Sequence, residues 1–236
     1  MTAFERASAQ RCREVLSRYP RVIAAPASLD LSLLQGILEP DDIIRFSDDH
    51  FRSTRSYSAL LRGPHFYDLC PDWVYALIYQ LDSFVFLDEL EFWCGQDIDY
   101  VGAPWPNFDW VGEGRHAWLR HLPIPWSRLG EVGNGGFSLR RLSTFRRLSR
   151  KWQVPGKFIN VNEDLYWSWV MPILEPSFQI PPAHVARAFA VELAPSEEVS
   201  KAGRLPFGCH AFERYEPEFW MDLLDSQNRS SPDDAG

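Results

Sequence analysis

The sequence contains few cysteines, and none of them belongs to a paired motif. Its four cysteines, Cys12, Cys70, Cys94 and Cys209, stand far apart among 236 residues, so their spacing indicates neither a zinc knuckle nor a disulfide framework. The sequence also lacks any apolar run close to the ~18 residues that a membrane-spanning helix needs. Charged residues from Glu5 onward leave no room for the apolar core of a signal peptide. We therefore expect a cytoplasmic protein without a transmembrane segment.

A basic stripe and the common phosphate-binding and acyl-transfer motifs are missing too. The net charge is −8 and the lysines and arginines are scattered, so nucleic acid is not an expected partner. No Gly-Lys-Ser or Gly-Lys-Thr follows a glycine loop, and no Gly-x-Ser-x-Gly nucleophile elbow is present. With 45% apolar and 24% charged residues, the composition is that of a globular protein. We predict one domain over residues 1–225, followed by a frayed polar tail over residues 226–236.

The chain alternates predicted helices with predicted strands. Thr2 and Glu5 have the spacing of a capping box, and apolar residues recur at helical spacing up to Pro20. Strands are predicted at residues 21–25, 42–46, 74–79, 100–101 and 183–193, and later helices at 53–61, 87–94, 142–152 and after Asn162. This alternation favours an α/β fold with a mostly parallel central sheet flanked by helices. Residues 105–130, rich in Pro, Gly and Trp, are predicted to form a long functional loop.

One carboxylate interrupts the apolar segment IYQLDSFVF at residues 78–86. Asp82 follows the end of the predicted strand over residues 74–79, at the edge where ligands bind in open α/β sheets. A buried carboxylate without a partner is costly, so Asp82 either meets a cation or ligand there or caps the following turn. The literal D-x-D of Asp97 and Asp99 precedes the strand at residues 100–101. We interpret that pair as a solvated turn at the opposite edge.

Three later segments contain further candidates. In VGNGGFSLRR, Gly135 and Gly136 precede a predicted strand, where absent side chains permit either close approach of a ligand or a tight turn. In VNEDLYW, Glu163 and Asp164 stand side by side at a helix start, where carboxylates also favour the helix dipole. Neighbouring helical residues project about 100° apart, so only one of the two can point squarely at a site. His210 lies among apolar residues, a setting typical of a hydrogen-bonded core histidine.

Taken in order, several segments resemble an uncharacterised family of microbial proteins, a domain of unknown function grouped with glycosyltransferases. They are YQLDSFVFLDELEFW, DIDYVGAPW, GNGGFSLRR, NEDLYW and PFGCHAFERYEPEFW. The same order resembles GT-A glycosyltransferases, which combine a D-x-D at a strand end, a glycine loop, an x-E-D on a helix and a late histidine. The resemblance implies a single GT-A-like domain that, in this chain, lacks the strand usually found before the first helix.

The resemblance also implies roles for individual residues at the donor site. Gln80 and Asp82 stand in the D-x-D place, which makes Asp82 a metal ligand and leaves Gln80, in place of an aspartate, as a contact to the donor. Gly135 and Gly136 match the glycine loop beside the donor and acceptor sugars. His210 matches the late histidine that completes the coordination of the metal.

On the acceptor side, the x-E-D match implies that Asp164 is the base and that Glu163 orients it or binds the acceptor. Trp105 and Trp110, in the long loop, have flat ring faces that suit stacking on sugars. A small satellite core would explain these tryptophans equally well. Asn134, in the glycine segment, is implied as a further contact to the acceptor.

Together these roles predict a metal-dependent glycosyltransferase of the hexosyl-transfer type. It would move a sugar from a nucleotide-diphosphate donor, with a UDP-sugar as the expected donor, to a carbohydrate or glycan acceptor. Mn²⁺ or Mg²⁺ would neutralise the charge on the leaving diphosphate, and phosphates and waters would fill most of its coordination positions. Two alternatives stay open: a non-catalytic relative that binds a nucleotide or sugar, and a metal-dependent phosphoesterase that uses Asp82 and His210.

Overall fold

The structure, a computed structural model, describes residues 1–105, 131–156, 159 and 161–230. Helices and short strands alternate through these residues, which confirms the α/β class. The strands are β1 (Val22–Pro26), β2 (Asp42–Phe46), β3 (Tyr75–Tyr79), β4 (Ser83–Val85), β5 (Tyr100–Val101), β6 (Phe137–Arg141), β7 (Ala190–Val191) and β8 (Gly208–His210). The helices are α1 (Ala3–Val15), α2 (Ser32–Leu38), α3 (Thr54–Arg62), α4 (Pro64–Asp68), α5 (Leu90–Cys94), α6 (Leu142–Lys151), α7 (Gln153–Gly156), α8 (Glu163–Leu165), α9 (Met171–Leu174), α10 (Ala183–Phe189), α11 (Pro195–Ala202) and α12 (Pro217–Ser230).

The first helix begins with the predicted capping box. The Thr2 hydroxyl accepts a hydrogen bond from the Glu5 backbone N–H at 3.1 Å, and the Glu5 carboxylate accepts one from the Thr2 N–H at 2.6 Å. These two bonds satisfy backbone donors that a helix start leaves free. Further along α1, Cys12 is buried in a core cluster with Ile23 of β1, so the capped helix covers this part of the sheet.

The strands form three small sheets rather than one mostly parallel sheet, so that prediction is wrong. The strand orders are β1-β2, β3-β6-β5 and β4-β8-β7, and three of the five pairs in the described residues are antiparallel. The apolar run before Gln80 suggested a strand buried on both faces. All five residues of β3 are instead only partly buried, and β6 pairs with β3 in the opposite direction. Apolar content therefore identified the strand but not its direction.

The segment over residues 183–193 is mostly helix, which corrects the strand predicted there. Residues 183–189 form α10, and only the two residues of β7 pair with β8. Ala186 and Phe189, three positions apart, are both fully buried, which is the spacing of one helix face. Short apolar runs fit a helix or a strand equally well, and here burial of that face favours the helix.

Strand ends from two sheets meet at one place. Tyr79, the last residue of β3, pairs with Phe137, the first residue of β6, while Ser83 of β4 pairs with His210 at the end of β8. The Phe137 ring lies so close to Gly208 that a β-carbon on that glycine would stand 2.4 Å from the ring. This contact joins the two sheets, and it brings the segment before β6 next to the end of β8.

An apolar cavity of about 540 Å³ lies between β1 and β3. The Gln80 N–H donates to the Gly136 carbonyl. This bond shows which alternate residues of β3 direct their backbone groups toward β6. The backbone groups of Tyr75, Leu77 and Tyr79 therefore face away from β6, and these residues line the cavity. In the part of the chain that the structure describes, neither this edge of β3 nor the free edge of β1 pairs with another strand.

Two predictions lie wholly or partly outside the described residues. Most of the long loop over residues 105–130, including Trp110, falls there. The polar tail predicted over residues 226–236 begins within α12, which continues to Ser230, and residues 231–236 are outside.

Candidate active site

A cavity of about 400 Å³ lies where β3, β6 and β8 meet the start of α8. It brings together seven of the predicted site residues: Gln80, Asn134, Gly135, Gly136, Glu163, Asp164 and His210. The opposite wall comes from the segment that leads into α3, with the rings of Phe51 and Tyr57 and the hydroxyls of Ser53 and Thr54. Five segments that are distant in the sequence thus enclose one space, which is the setting expected of a ligand site.

His210 lies between two carboxylates at the rim of this cavity. Its Nδ1 is 3.0 Å from Oε1 of Glu192, and its Nε2 is 3.2 Å from Oδ1 of Asp82. The β4–β8 register, in which Ser83 stands opposite His210, places the preceding Asp82 beside the imidazole. The partner of Asp82 is therefore His210, and Glu192 is a second carboxylate that the sequence did not reveal.

The two carboxylates control the charge of His210. Burial by itself lowers the pKa of the imidazole, but the hydrogen bonds and charges of Asp82 and Glu192 raise it to about 9. For Asp82, burial acts to raise the pKa, and the bond to His210 outweighs it, so the pKa lies below its usual value. At neutral pH this cluster consequently contains a protonated imidazole between two carboxylates.

Two glycines allow the backbone before β6 to pack directly against side chains of the cavity. A β-carbon on Gly136 would stand 2.1 Å from Nε2 of His210 and 2.8 Å from Oε1 of Gln80. On Gly135 it would stand 1.9 Å from Oε1 of Glu163. The predicted need for missing side chains thus has a structural reason, because the backbone before β6 runs directly against the groups that line the cavity.

Glu163 is held by a buried ion pair. Its carboxylate lies 3.1 Å from Nη2 of Arg140, whose guanidinium is fully buried and also donates to the Tyr67 hydroxyl at 2.8 Å. The same guanidinium donates to the Gly135 carbonyl at 3.3 Å, so it connects β6, the glycine segment and α8. The Glu163 backbone N–H donates to the hydroxyl of Ser58 in α3. Glu163 therefore fixes the start of α8, while its charge is already paired.

Asp164 is the second carboxylate of the cavity. Burial, followed by the neighbouring charge of Glu163, raises its pKa to about 7. One carboxylate oxygen accepts a hydrogen bond from the Leu165 backbone N–H at 2.7 Å, which holds the side chain at the helix start. A carboxylate with a pKa near neutrality in a cavity suits a general base.

The predicted acceptor contacts have different outcomes. Trp105 is buried at 9% exposure, and a β-carbon on Gly133 would stand 2.5 Å from its ring, so this ring packs in the interior. Asn134 lines the cavity, but its side-chain oxygen accepts the Gly136 N–H at 2.8 Å, which shapes the glycine turn. Trp110 lies outside the described residues.

The literal D-x-D has structural roles at the other end of the sheet. Asp97 is exposed, has a positive φ of 50° and pairs with Arg141, the last residue of β6. Asp99 is buried rather than solvated, and it accepts hydrogen bonds from the Thr144 hydroxyl and the Gln179 backbone N–H. The contact of Asp97 lies at the other end of β6 from Gly136.

Comparison with protein families identifies what this chain is. The model of DUF5672, described as a protein of unknown function, matches residues 41–210. The chain belongs to the DUF5672 family. Every residue that lines the 400 Å³ cavity, from Phe51 to His210, falls within the part that matches the DUF5672 model. A search of curated proteins found no match. In the described part of this DUF5672 protein, no helix combines the length and apolar character that crossing a bilayer requires.

At the rim of the DUF5672 cavity, three atoms of the kinds that bind divalent cations lie close together. Glu192 engages Nδ1 of His210 and leaves Nε2 facing Oδ1 of Asp82 at 3.2 Å and Oε1 of Gln80 at 3.3 Å. A histidine that binds a metal usually donates its other ring N–H to a carboxylate or a carbonyl. Neighbouring ligand atoms on an octahedral ion stand about 3 Å apart, close to the distances found here. Among the described residues, no group of three or more His, Cys, Asp or Glu side chains is arranged around a metal position. Further ligands would have to come from the substrate or water.

Proposed function

We propose that this DUF5672 protein is a metal-dependent glycosyltransferase with a GT-A-like fold. It would transfer a sugar from a nucleotide-diphosphate donor, with a UDP-sugar as the expected donor, to a hydroxyl of a carbohydrate acceptor. The observation that carries the proposal is that a candidate base and a candidate metal ligand lie in the same cavity. A carboxylate whose pKa is about 7, Asp164, shares the 400 Å³ cavity with His210, which contacts Asp82.

The chemistry assigns a role to each side of the cavity. The acceptor oxygen attacks the anomeric carbon of the donor, the bond from that carbon to the diphosphate breaks, and the hydroxyl proton passes to Asp164. Asp82 and His210, with Gln80 beside them, would hold Mn²⁺ or Mg²⁺, which supplies charge neutralisation for the departing diphosphate. Arg140 keeps the neighbouring Glu163 ion-paired, so that Asp164 is the carboxylate available for the proton.

The arrangement of the landmarks supports the GT-A likeness. Gln80 of the D-x-D place, the glycine segment, the x-E-D segment and the late histidine lie at the ends of β3, β6, α8 and β8, and they border one cavity, while Asp82 contacts His210 at its rim.

The test is turnover of a panel of nucleotide sugars with Mn²⁺. We expect the wild type to release nucleoside diphosphate, faster with a suitable glycan acceptor, and the Asp82→Asn variant to lose that activity. Asp97→Asn is the matched control, because Asp97 is exposed and lies at the other end of β6. Equal activity of wild type and Asp82→Asn would reject the assigned cation site.

One observation favours a second candidate function. Gln80 stands where the GT-A pattern has an aspartate, and this substitution would suit a relative that binds nucleotide or sugar without transferring it. Calorimetric binding of UDP together with no turnover across the whole donor panel would support this second function over the first.

A further inference from the structure

We infer that the Tyr57 hydroxyl donates a hydrogen bond to an oxygen of the bound ligand, and that Gln80 holds it in that orientation. The identity of the ligand as a nucleotide sugar rests on the proposed function. The orientation of Tyr57 rests on the hydrogen-bond inventory of three side chains, His210, Gln80 and Tyr57, that stand in a row along the cavity wall.

The row starts at His210. Its Nδ1 contacts Oε1 of Glu192 at 3.0 Å, and its Nε2 faces Oδ1 of Asp82 at 3.2 Å and the amide oxygen of Gln80 at 3.3 Å. Because a carboxylate oxygen of Asp82 lies at the same nitrogen, this side of the imidazole suits hydrogen-bond acceptors. The Gln80 amide accordingly presents its oxygen there and not its NH₂ group.

The orientation of Gln80 then fixes that of Tyr57. With its oxygen on His210, the amide presents its NH₂ group to the Tyr57 hydroxyl, 3.1 Å away. An amide nitrogen only donates, so the hydroxyl oxygen accepts and must direct its own proton elsewhere. Among the described residues, no acceptor for that proton is hydrogen-bonded to Tyr57, and the residue borders the 400 Å³ cavity. The ligand supplies the acceptor.

This arrangement gives a reason for glutamine at position 80. An aspartate or glutamate there would present oxygen to both neighbours, and Tyr57 would turn its proton toward that carboxylate and away from the cavity. An amide, unlike a carboxylate, accepts from His210 and donates to Tyr57 at once. Gln80 is thus a positioning residue, and the departure from an aspartate at this place maintains a donor for the ligand.

The ligand atom is an oxygen acceptor, and two parts of a nucleotide sugar could provide it: a phosphate oxygen or a sugar hydroxyl. Calorimetry with three probes separates them, namely UDP with Mn²⁺, UDP-hexoses with Mn²⁺, and methyl hexosides. Tyr57→Phe should weaken binding about tenfold, the usual loss for one hydrogen bond to a ligand. A loss already present with UDP assigns the bond to phosphate, and a loss confined to the hexose-containing probes assigns it to a sugar hydroxyl.

If Gln80 orients the Tyr57 hydroxyl, the effect of Tyr57→Phe should depend on the residue at position 80. A tyrosine with a purely structural role would not show this dependence. In a Gln80→Glu background, the tyrosine proton is already turned away, so Tyr57→Phe should cause no further loss of affinity. Tyr215→Phe, which removes a tyrosine hydroxyl outside the cavity, is the matched control and should bind every probe like the wild type. The thermal midpoint of Tyr57→Phe should stay near that of the wild type, because the ring that packs against Phe51 is retained.

Two results would overturn the inference. One is a Tyr57→Phe variant that binds every probe like the wild type, or a loss of affinity that is equal in the wild-type and Gln80→Glu backgrounds. The other is a crystal structure of the free protein in which the Tyr57 hydroxyl donates to a protein oxygen rather than to water in the cavity. If the coupling is observed and no donor is ever turned over, the inference stands and the proposed transferase activity fails.

Discussion

Gly136 lies against His210 so closely that a β-carbon on the glycine would stand 2.1 Å from Nε2 of the imidazole. Nonbonded carbon atoms do not approach a ring nitrogen at such a distance, so any larger residue must displace the imidazole of His210, the amide of Gln80 or the segment before β6. The close contact therefore depends on the missing side chain of Gly136, and it places the segment before β6 against the imidazole that lines the cavity.

Gly136→Ala should damage the site and the fold together. We expect a loss of about 1–3 kcal/mol in the free energy of unfolding, as for other overpacked interiors, and loss of UDP binding. Urea denaturation and calorimetry measure the two effects. Gly36→Ala is the control, because a β-carbon there meets no atom within 4 Å in α2, and the helix should gain about 0.5–1 kcal/mol. A Gly136→Ala variant as stable and active as the wild type would contradict the close contact.

Arg140→Met should destabilise the protein strongly. The change leaves the buried carboxylate of Glu163 without its cation, and breaking a buried pair from one side costs about 3–5 kcal/mol. Chemical denaturation should reveal the loss. Arg150→Met, which breaks an exposed pair with Asp68, should cost no more than about 1 kcal/mol. Comparable losses in the two variants would mean that the Arg140 pair has no special role.

Transfer activity should depend on the ionisation of Asp164. Because its folded pKa is raised to about 7, the base form is scarce in acid and the rate should rise with pH and reach half its plateau near pH 7. Asp164→Asn should lower the rate about 10²- to 10⁴-fold without weakening UDP binding, since the group acts on the acceptor. A pH–rate profile without that ascending limb would exclude Asp164 as the base.

The stability of the metal-free protein should fall between pH 7 and pH 9. The pKa of His210 is about 9 when folded and 6.5 as an ordinary histidine, so its proton stabilises the fold fully below pH 6.5. That contribution is lost as the pH rises through 9, by at most about 1.4 kcal/mol for each pH unit. Urea titrations across this range measure the slope. His210→Gln should flatten it, whereas the exposed His184→Gln should leave it unchanged.

The affinity for Mn²⁺ should also depend on pH through His210. A cation at Nε2 of His210 displaces the proton there, so metal affinity should rise with pH up to about 9 and binding should release protons. Calorimetry in buffers of different ionisation enthalpy counts those protons. Metal affinity that does not change with pH would place the cation away from His210.

Much of the local structure follows from the sequence because it depends on short-range signals. The capping box of Thr2 and Glu5 and the strand over residues 42–46 are determined by neighbours in the chain, and both were predicted within a residue or two. The direction of β3 was not, because pairing with β6 depends on residues about 60 positions away. The region around α10 failed for a related reason: its apolar run fits two periodicities until packing selects one.

Some residues of the candidate site could be selected from the sequence, and others could not. Asp82, Asp164 and His210 could be selected because carboxylates and a histidine stand out at element ends and because ordered segments resemble a known pattern. Tyr57 and Arg140 could not, since their importance arises only when α3 and β6 close on α8. The predicted strand FSLRR ends in two adjacent arginines, and the sequence does not show that Arg140 is the buried one.

The most direct test of the account is a crystal structure of the protein with UDP and Mn²⁺. We expect Mn²⁺ bound to Nε2 of His210 and to Asp82, with the diphosphate in the 400 Å³ cavity beside Gly135 and Gly136. Nucleotide bound elsewhere, such as in the apolar cavity between β1 and β3, or a metal that leaves the His210–Asp82 contact intact, would contradict it.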